Sequence, residues 1–95
     1  MTAYVLVDVD VTDPDRYDQY RPLAAASVEQ YGGRYLARGG ATEVLEGERT
    51  PHRTVVLAFD DADAARRWYH SAEYAKAKEA RAGGAIGSFI LVEGV

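Results

Sequence analysis

Ala3-Tyr-Val-Leu-Val-Asp-Val-Asp-Val11 places a valine at every odd position from Val5 to Val11. Tyr4, Leu6, Asp8 and Asp10 fall on the other side. A period of two is the signature of a β-strand, whose successive side chains point to opposite faces. The second face starts apolar and ends acidic, so the strand is covered on both sides at one end only. Arg53-Thr-Val-Val-Leu-Ala-Phe59 is the most continuous apolar strand, with Val55, Leu57 and Phe59 on one face and Val56 and Ala58 on the other. Strands that are apolar on both faces belong in the middle of a sheet.

The segments between these strands read as helices and shorter strands. Thr12-Asp-Pro-Asp15 is a helix start: Asp13 can accept from free backbone amides, Pro14 suits the first helical position, and Asp15 complements the dipole. The helix runs toward Tyr31 and stops at Gly32-Gly33. A proline within a helix loses a hydrogen bond and crowds the previous turn. Pro22 therefore predicts a short turn over Asp15–Arg21, a kink, and then the main helix. Arg34–Arg38 reads as a short strand ending at Gly39-Gly40, and Thr42–Glu46 as an edge ribbon closed by Gly47. Asp60-Asp-Ala-Asp63 opens a second helical region through Trp68-Tyr69. Ser71 recaps a further segment from Ala72 to about Ala82, and Ile86–Val92 is the last strand.

The resulting order, β-α-β-(β)-β-α-β, is that of a ferredoxin-like α+β domain with an antiparallel sheet, filling residues 1–95 as one unit. Its central strands are the two that are apolar on both faces. Two helices cover only one face of such a sheet, and the apolar residues on the other face predict a partner, most simply a second copy. A chain of 95 residues buries only about 60–65% of its unfolded surface, which points the same way.

Composition narrows the function classes. There is no cysteine, which removes disulfides and thiolate metal sites and fits a reducing cytoplasm. No run approaches the ~18 apolar residues that span a membrane. A net charge of −4 offers no general attraction to phosphate backbones, so no nucleic-acid partner is expected. Walker loops, dinucleotide fingerprints and nucleophile elbows are missing, and no metal or cofactor is expected.

Particular residues then look familiar. Val11-Thr-Asp-Pro-Asp-Arg-Tyr17, Tyr31-Gly-Gly-Arg-Tyr-Leu-Ala-Arg-Gly-Gly40, Val44-Leu-Glu-Gly47, Trp68-Tyr-His-Ser71 with Tyr74, and Leu91-Val-Glu-Gly94 together resemble the bacterial domain-of-unknown-function 1330 family across the whole chain. The resemblance implies a dimeric α+β barrel and no established activity. Two positions depart from the family pattern: Ala58 stands where glutamate is common, and His70-Ser-Ala72 replaces a more usual Asn-Ser-Pro.

Several side chains are candidates for chemistry. Arg38-Gly39-Gly40 can present a planar guanidinium beside closely approachable backbone amides, an anion site; the commonplace alternative is a simple turn with Arg38 paired to a surface carboxylate. Tyr17 and Tyr20 share a helix face, and Tyr17, just after the first strand, is the tyrosine expected to reach a ligand. Tyr31, Tyr69 and Tyr74 read as seam packing. His70 sits near a helix end and is a candidate general base; His52, after Pro51, reads as solvated. Asp8 becomes a buried carboxylate with a raised pKa if its face lines the barrel. Arg53 and Arg81 read first as ordinary sheet-end and helix-end charges.

Three functions fit: a small-molecule site for an aromatic or carboxylate-bearing metabolite, with a cofactor-free oxygenase or isomerase as the enzyme class; a binder that sequesters such a ligand; or a structural or stress-related dimer.

Overall fold

The computed structural model describes residues 1–95. They form β1 (Ala3–Val11), α1 (Pro14–Gln30), β2 (Arg34–Arg38), β3 (Arg53–Phe59), α2 (Ala62–Tyr69), α3 (Ala72–Ala80) and β4 (Ala85–Glu93). One antiparallel sheet has the order β2-β3-β1-β4. This is the ferredoxin-like α+β arrangement, and the two doubly apolar strands hold its centre. The odd-numbered residues of β1, Ala3, Val5, Val7 and Val9, are buried under the helices. Phe59, Trp68, Tyr74 and Val28 complete that core.

Two expectations need correction. α1 is one unbroken helix that carries Pro22 in its interior. Pro22 and Asp18, whose carbonyl loses its amide partner, are both exposed, so water can satisfy that carbonyl. The opposite face carries Tyr17, Tyr20, Ala24, Ser27 and Val28, all buried; their continuous seat on the sheet outweighs the local penalty. Thr42–Glu46 forms no strand. It pairs with no strand and instead lies over the uncovered face beside Leu6, Asp8 and Ile90, and Leu45 is 89% exposed.

The caps are as the sequence predicts. Asp13 accepts from the amides of Asp15 and Arg16, Asp61 from that of Ala64 at 2.7 Å, and Ser71 from that of Tyr74 at 3.1 Å. Polar groups inside the core find partners: Trp68 Nε1 donates to Ser27 Oγ at 3.0 Å, and the Tyr20 and Tyr74 hydroxyls share a hydrogen bond of 2.8 Å.

Two features position the site. The register of β2 against β3 shifts between Tyr35 and Ala37, a bulge at Leu36. The sheet face away from the helices is bare of secondary structure and shows Leu6, Ile86, Ile90 and Val92, each more than 40% exposed. No helix is long and apolar enough to cross a membrane.

Candidate functional site

Arg53 opens β3 with the same parity as the buried Val55 and Leu57, so its side chain enters the layer between sheet and α1. There it meets a cleft floored by Val7 and Val9, roofed by Tyr17 and Tyr20, and bounded on the β2 side by Tyr35 and Arg38. The enclosed space is about 30 Å³, enough for one water-sized group, and reaches about 420 Å³ with its solvent-open mouth included.

The cleft is rich in cations. The Arg53 guanidinium lies 5.7 Å from the Tyr17 ring centroid and that of Arg38 stacks 4.4 Å over Tyr35. Arg81, outside the cleft lining, sits 5.1 Å from the Tyr20 centroid. None of the three forms an ion pair, since the carboxylates that pair do so with Arg16, Arg21, His52 and Arg66. The Nε atoms of Arg53 and Arg81 are buried without any hydrogen-bond partner. A buried donor left unsatisfied costs about 1–3 kcal/mol, so two such donors at one seam require an explanation.

The phenols are donors rather than bases. Burial pushes the Tyr35 hydroxyl above its ordinary value despite the nearby Arg38 and Arg53. Burial and the Tyr74 contact push Tyr20 far above the usual tyrosine range. Both therefore keep their protons at neutral pH and can donate to an anion.

Of the candidates named from sequence, Tyr17 and Arg38 come together here. Gly39 adopts φ 73°, a left-handed conformation natural only to glycine. A Cβ placed on it would fall 2.6 Å from Arg53 Cζ, so Gly39 makes room for that guanidinium. Its amide donates to the Thr54 carbonyl at 2.8 Å and is not free for an anion. Gly40 stands open, with nothing within 4 Å of an added Cβ.

The other candidates lie elsewhere. His70 caps α2 beside a separate hollow of about 270 Å³ at the β4 edge, its ring edge-on to Tyr69 at 5.3 Å. Asp8 faces the uncovered side and binds His52: Oδ2 lies 3.0 Å from Nδ1, and Oδ1 accepts the His52 amide at 2.8 Å. Those hydrogen bonds hold its carboxyl below the ordinary value, and not above it as a buried carboxylate lining the barrel would have been. His52 is likewise tethered rather than free, and the bond to Asp8 raises its pKa. Tyr31 donates to Glu73 at 2.7 Å, while Tyr74 is core.

Arg53 enters the cleft instead of serving as an outlying charge, whereas Arg81 is the C-cap of α3, the helix-end charge expected. The signal was present for Arg53: a cation at an inward position of an otherwise apolar strand.

A structure of a protein of unknown function from Rhodopseudomonas palustris superposes with a TM-score of 0.78 at 15% identity, covering 99% of this chain and 82% of that one. A dimeric ferredoxin-like protein of unknown function from Jannaschia sp. CCS1 gives 0.71 at 13% identity, covering 99% and 100%. SnoaB, a cofactor-independent oxygenase from Streptomyces nogalater, gives 0.66 at 16% identity, covering 99% and 93%. At these identities the likeness concerns the fold. No curated protein matches the sequence. The model of a domain of unknown function, DUF1330, matches residues 2–95, and the chain belongs to that family.

Proposed function

We propose that the protein is a homodimer that binds a small aromatic carboxylate in the cleft between the sheet and α1. Arg53 and Arg38 take the carboxylate, and the rings of Tyr17, Tyr20 and Tyr35 hold the aromatic part. The observation that carries this reading is the partnerless buried Nε of Arg53 in a cleft without a carboxylate. A guanidinium fork matches a carboxylate in two parallel hydrogen bonds, which would satisfy the orphaned donor. The enclosed space suits the carboxylate group alone, so the ring occupies the mouth once Arg38 swings off Tyr35. The second copy covers Leu6, Ile90 and their neighbours, in keeping with the dimeric relative from Jannaschia.

Two outcomes for the bound ligand follow. Reaction with dioxygen without a cofactor is the enzymatic one, by analogy with the activity named for SnoaB. Binding without turnover is favoured by the cleft lining itself, which holds no histidine, aspartate or glutamate to move a proton. A structural or stress-related dimer that binds nothing leaves the arginines unexplained.

Thermal-shift screening with small aromatic carboxylates tests the proposal. Ligand at about 100 times Kd stabilises by about 2.7 kcal/mol, and Arg53→Gln and Arg38→Ala should each abolish most of that shift. No shift from any such carboxylate at millimolar concentration sinks it. Dioxygen uptake by ligands that do bind separates enzyme from binder.

A further inference from the structure

The bare face of the sheet ends in an acidic row. The even-numbered residues of β1 point to that face, and the strands on either side supply their neighbours: Leu6 lies between Val56 and Ile90, and Asp8 between Thr54 and Ser88. Asp10 has Ile86 on its β4 side. The β1–β3 register, continued one residue past Arg53, brings His52 to its other side. The imidazole stands between the two carboxylates, with Nδ1 3.0 Å from Asp8 Oδ2 and Nε2 3.9 Å from Asp10 Oδ2. Arg49 adds a more distant positive charge near Asp8, while Glu43 and Glu46 border the same hollow. Thr54 and Ser88 bring no charge, so His52 is the group that forms an ion pair with either aspartate.

The apolar surface continues past these carboxylates. Ile86 is 70% exposed, and directly opposed residues of antiparallel strands lie only about 4.5–5.5 Å apart. A surface that covers Ile86 therefore covers Asp10. The Asp10 and His52 side chains are each 48% exposed, so in an isolated copy water screens their charges. Beneath a second copy that screening is lost. Two carboxylates without a cation are then far costlier to bury than a compensated cluster. A two-fold dimer presents the row twice, once from each copy.

We infer that the second copy packs over the Ile86–Asp10–His52 row and that His52 is the proton switch of this interface: as an imidazolium it lets Asp8 and Asp10 be buried between the copies, and its deprotonation loosens the dimer. This rests on the homodimer reading above and adds what controls it. The hydrogen bond to Asp8 raises the His52 pKa against the opposing effect of burial, and the Asp10 charge adds to the rise. The cation is present below the raised value and lost as pH rises through it. Asp8, held below the ordinary carboxylate value, stays ionised throughout that range.

Sedimentation velocity of fluorescently labelled protein, diluted from micromolar to nanomolar, reads the dimer Kd at about pH 6 and about pH 9, on either side of the histidine titration. The wild-type Kd should rise at least about tenfold between the two, since each copy loses the proton that the interface favours. His52→Gln should weaken the dimer at the lower pH and remove most of the difference. Asp8→Asn combined with Asp10→Asn should keep, at the higher pH, the association that the wild type loses. His70→Gln, beside the hollow on the helix side, should respond to pH as the wild type does. A wild-type dimer with the same Kd at both pH values overturns the switch and leaves the homodimer intact. A pH response that survives His52→Gln overturns it as well. A wild type that is monomeric at both pH values removes the homodimer and the switch together.

Discussion

Replacing Gly39 by alanine separates backbone strain from the placement of Arg53, because two other glycines act as controls. Gly39 and Gly47 both have positive φ, 73° and 98°. A non-glycine residue in that region costs about 1–2 kcal/mol. An added Cβ at Gly47 meets nothing within 4 Å, whereas at Gly39 it meets the Arg53 guanidinium. That guanidinium is the far end of a flexible side chain and can move away, losing the contact with Tyr17, worth about 0.5–1 kcal/mol. Gly39→Ala should therefore destabilise by about 2 kcal/mol, Gly47→Ala by about 1.5, and Gly40→Ala, which meets neither penalty, by less than about 0.5. Urea denaturation measures all three. Binding should separate the two strained variants far more sharply. A displaced Arg53 loses a charge-assisted contact of about 1.5–3 kcal/mol, or roughly 10- to 150-fold in Kd for benzoate, while Gly47→Ala should bind as the wild type does. Unchanged benzoate binding in Gly39→Ala would refute the argument that this glycine exists to seat Arg53.

Three further outcomes are expected. His52 is raised above its ordinary 6.5 by Asp8, so its contribution to stability is present below that pH and lost as pH rises through the higher folded value; Asp8 is depressed below 3.8, so its contribution is present above that pH and lost as pH falls through the lower folded value. His52→Gln should therefore destabilise more at about pH 5 than at about pH 9 in urea denaturation, and equal losses would count against the pair. Ser27→Ala strips the buried Trp68 Nε1 of its acceptor and should cost about 2 kcal/mol; a loss under about 0.5 kcal/mol would mean that the indole finds another partner. Ile90, 52% exposed on the bare face, should be buried by the second copy, so Ile90→Asp should sediment as a monomer where the wild type sediments as a dimer. A monomeric wild type at micromolar concentration would end the homodimer proposal.

The central strands were legible because alternation and double-sided apolarity are properties of short windows. The helix starts were legible for the same reason: Asp13, Asp61 and Ser71 each act within three residues of themselves. Pro22 misled because a local penalty was weighed without the stripe of buried residues on the far face of α1, which exists only once the sheet does. The Asp8–His52 pair joins residues 44 apart in sequence, and nothing near Asp8 announces it. Tyr17 and Arg38 were found as individual candidates, but their convergence on Arg53 depends on strand pairing. Arg81 was readable as a helix-end charge, but the approach of its guanidinium to the Tyr20 and Phe89 rings depends on how α3 packs against α1 and β4.

The bulge at Leu36 has a consequence of its own. In a regular strand Tyr35 and Arg38, three residues apart, would point to opposite faces. The extra residue sets Tyr35 against Leu57 and Arg38 against Val55, both helix-side positions, and so lets the cation stack on the ring 4.4 Å away. The identity of Leu36 matters little to this; its presence matters entirely. Among relatives, then, the change that would reassign Arg38 from the cleft to the opposite side of the sheet is a loss or gain of one residue in β2 rather than any substitution, and chain length in this strand is itself a marker of who retains the site.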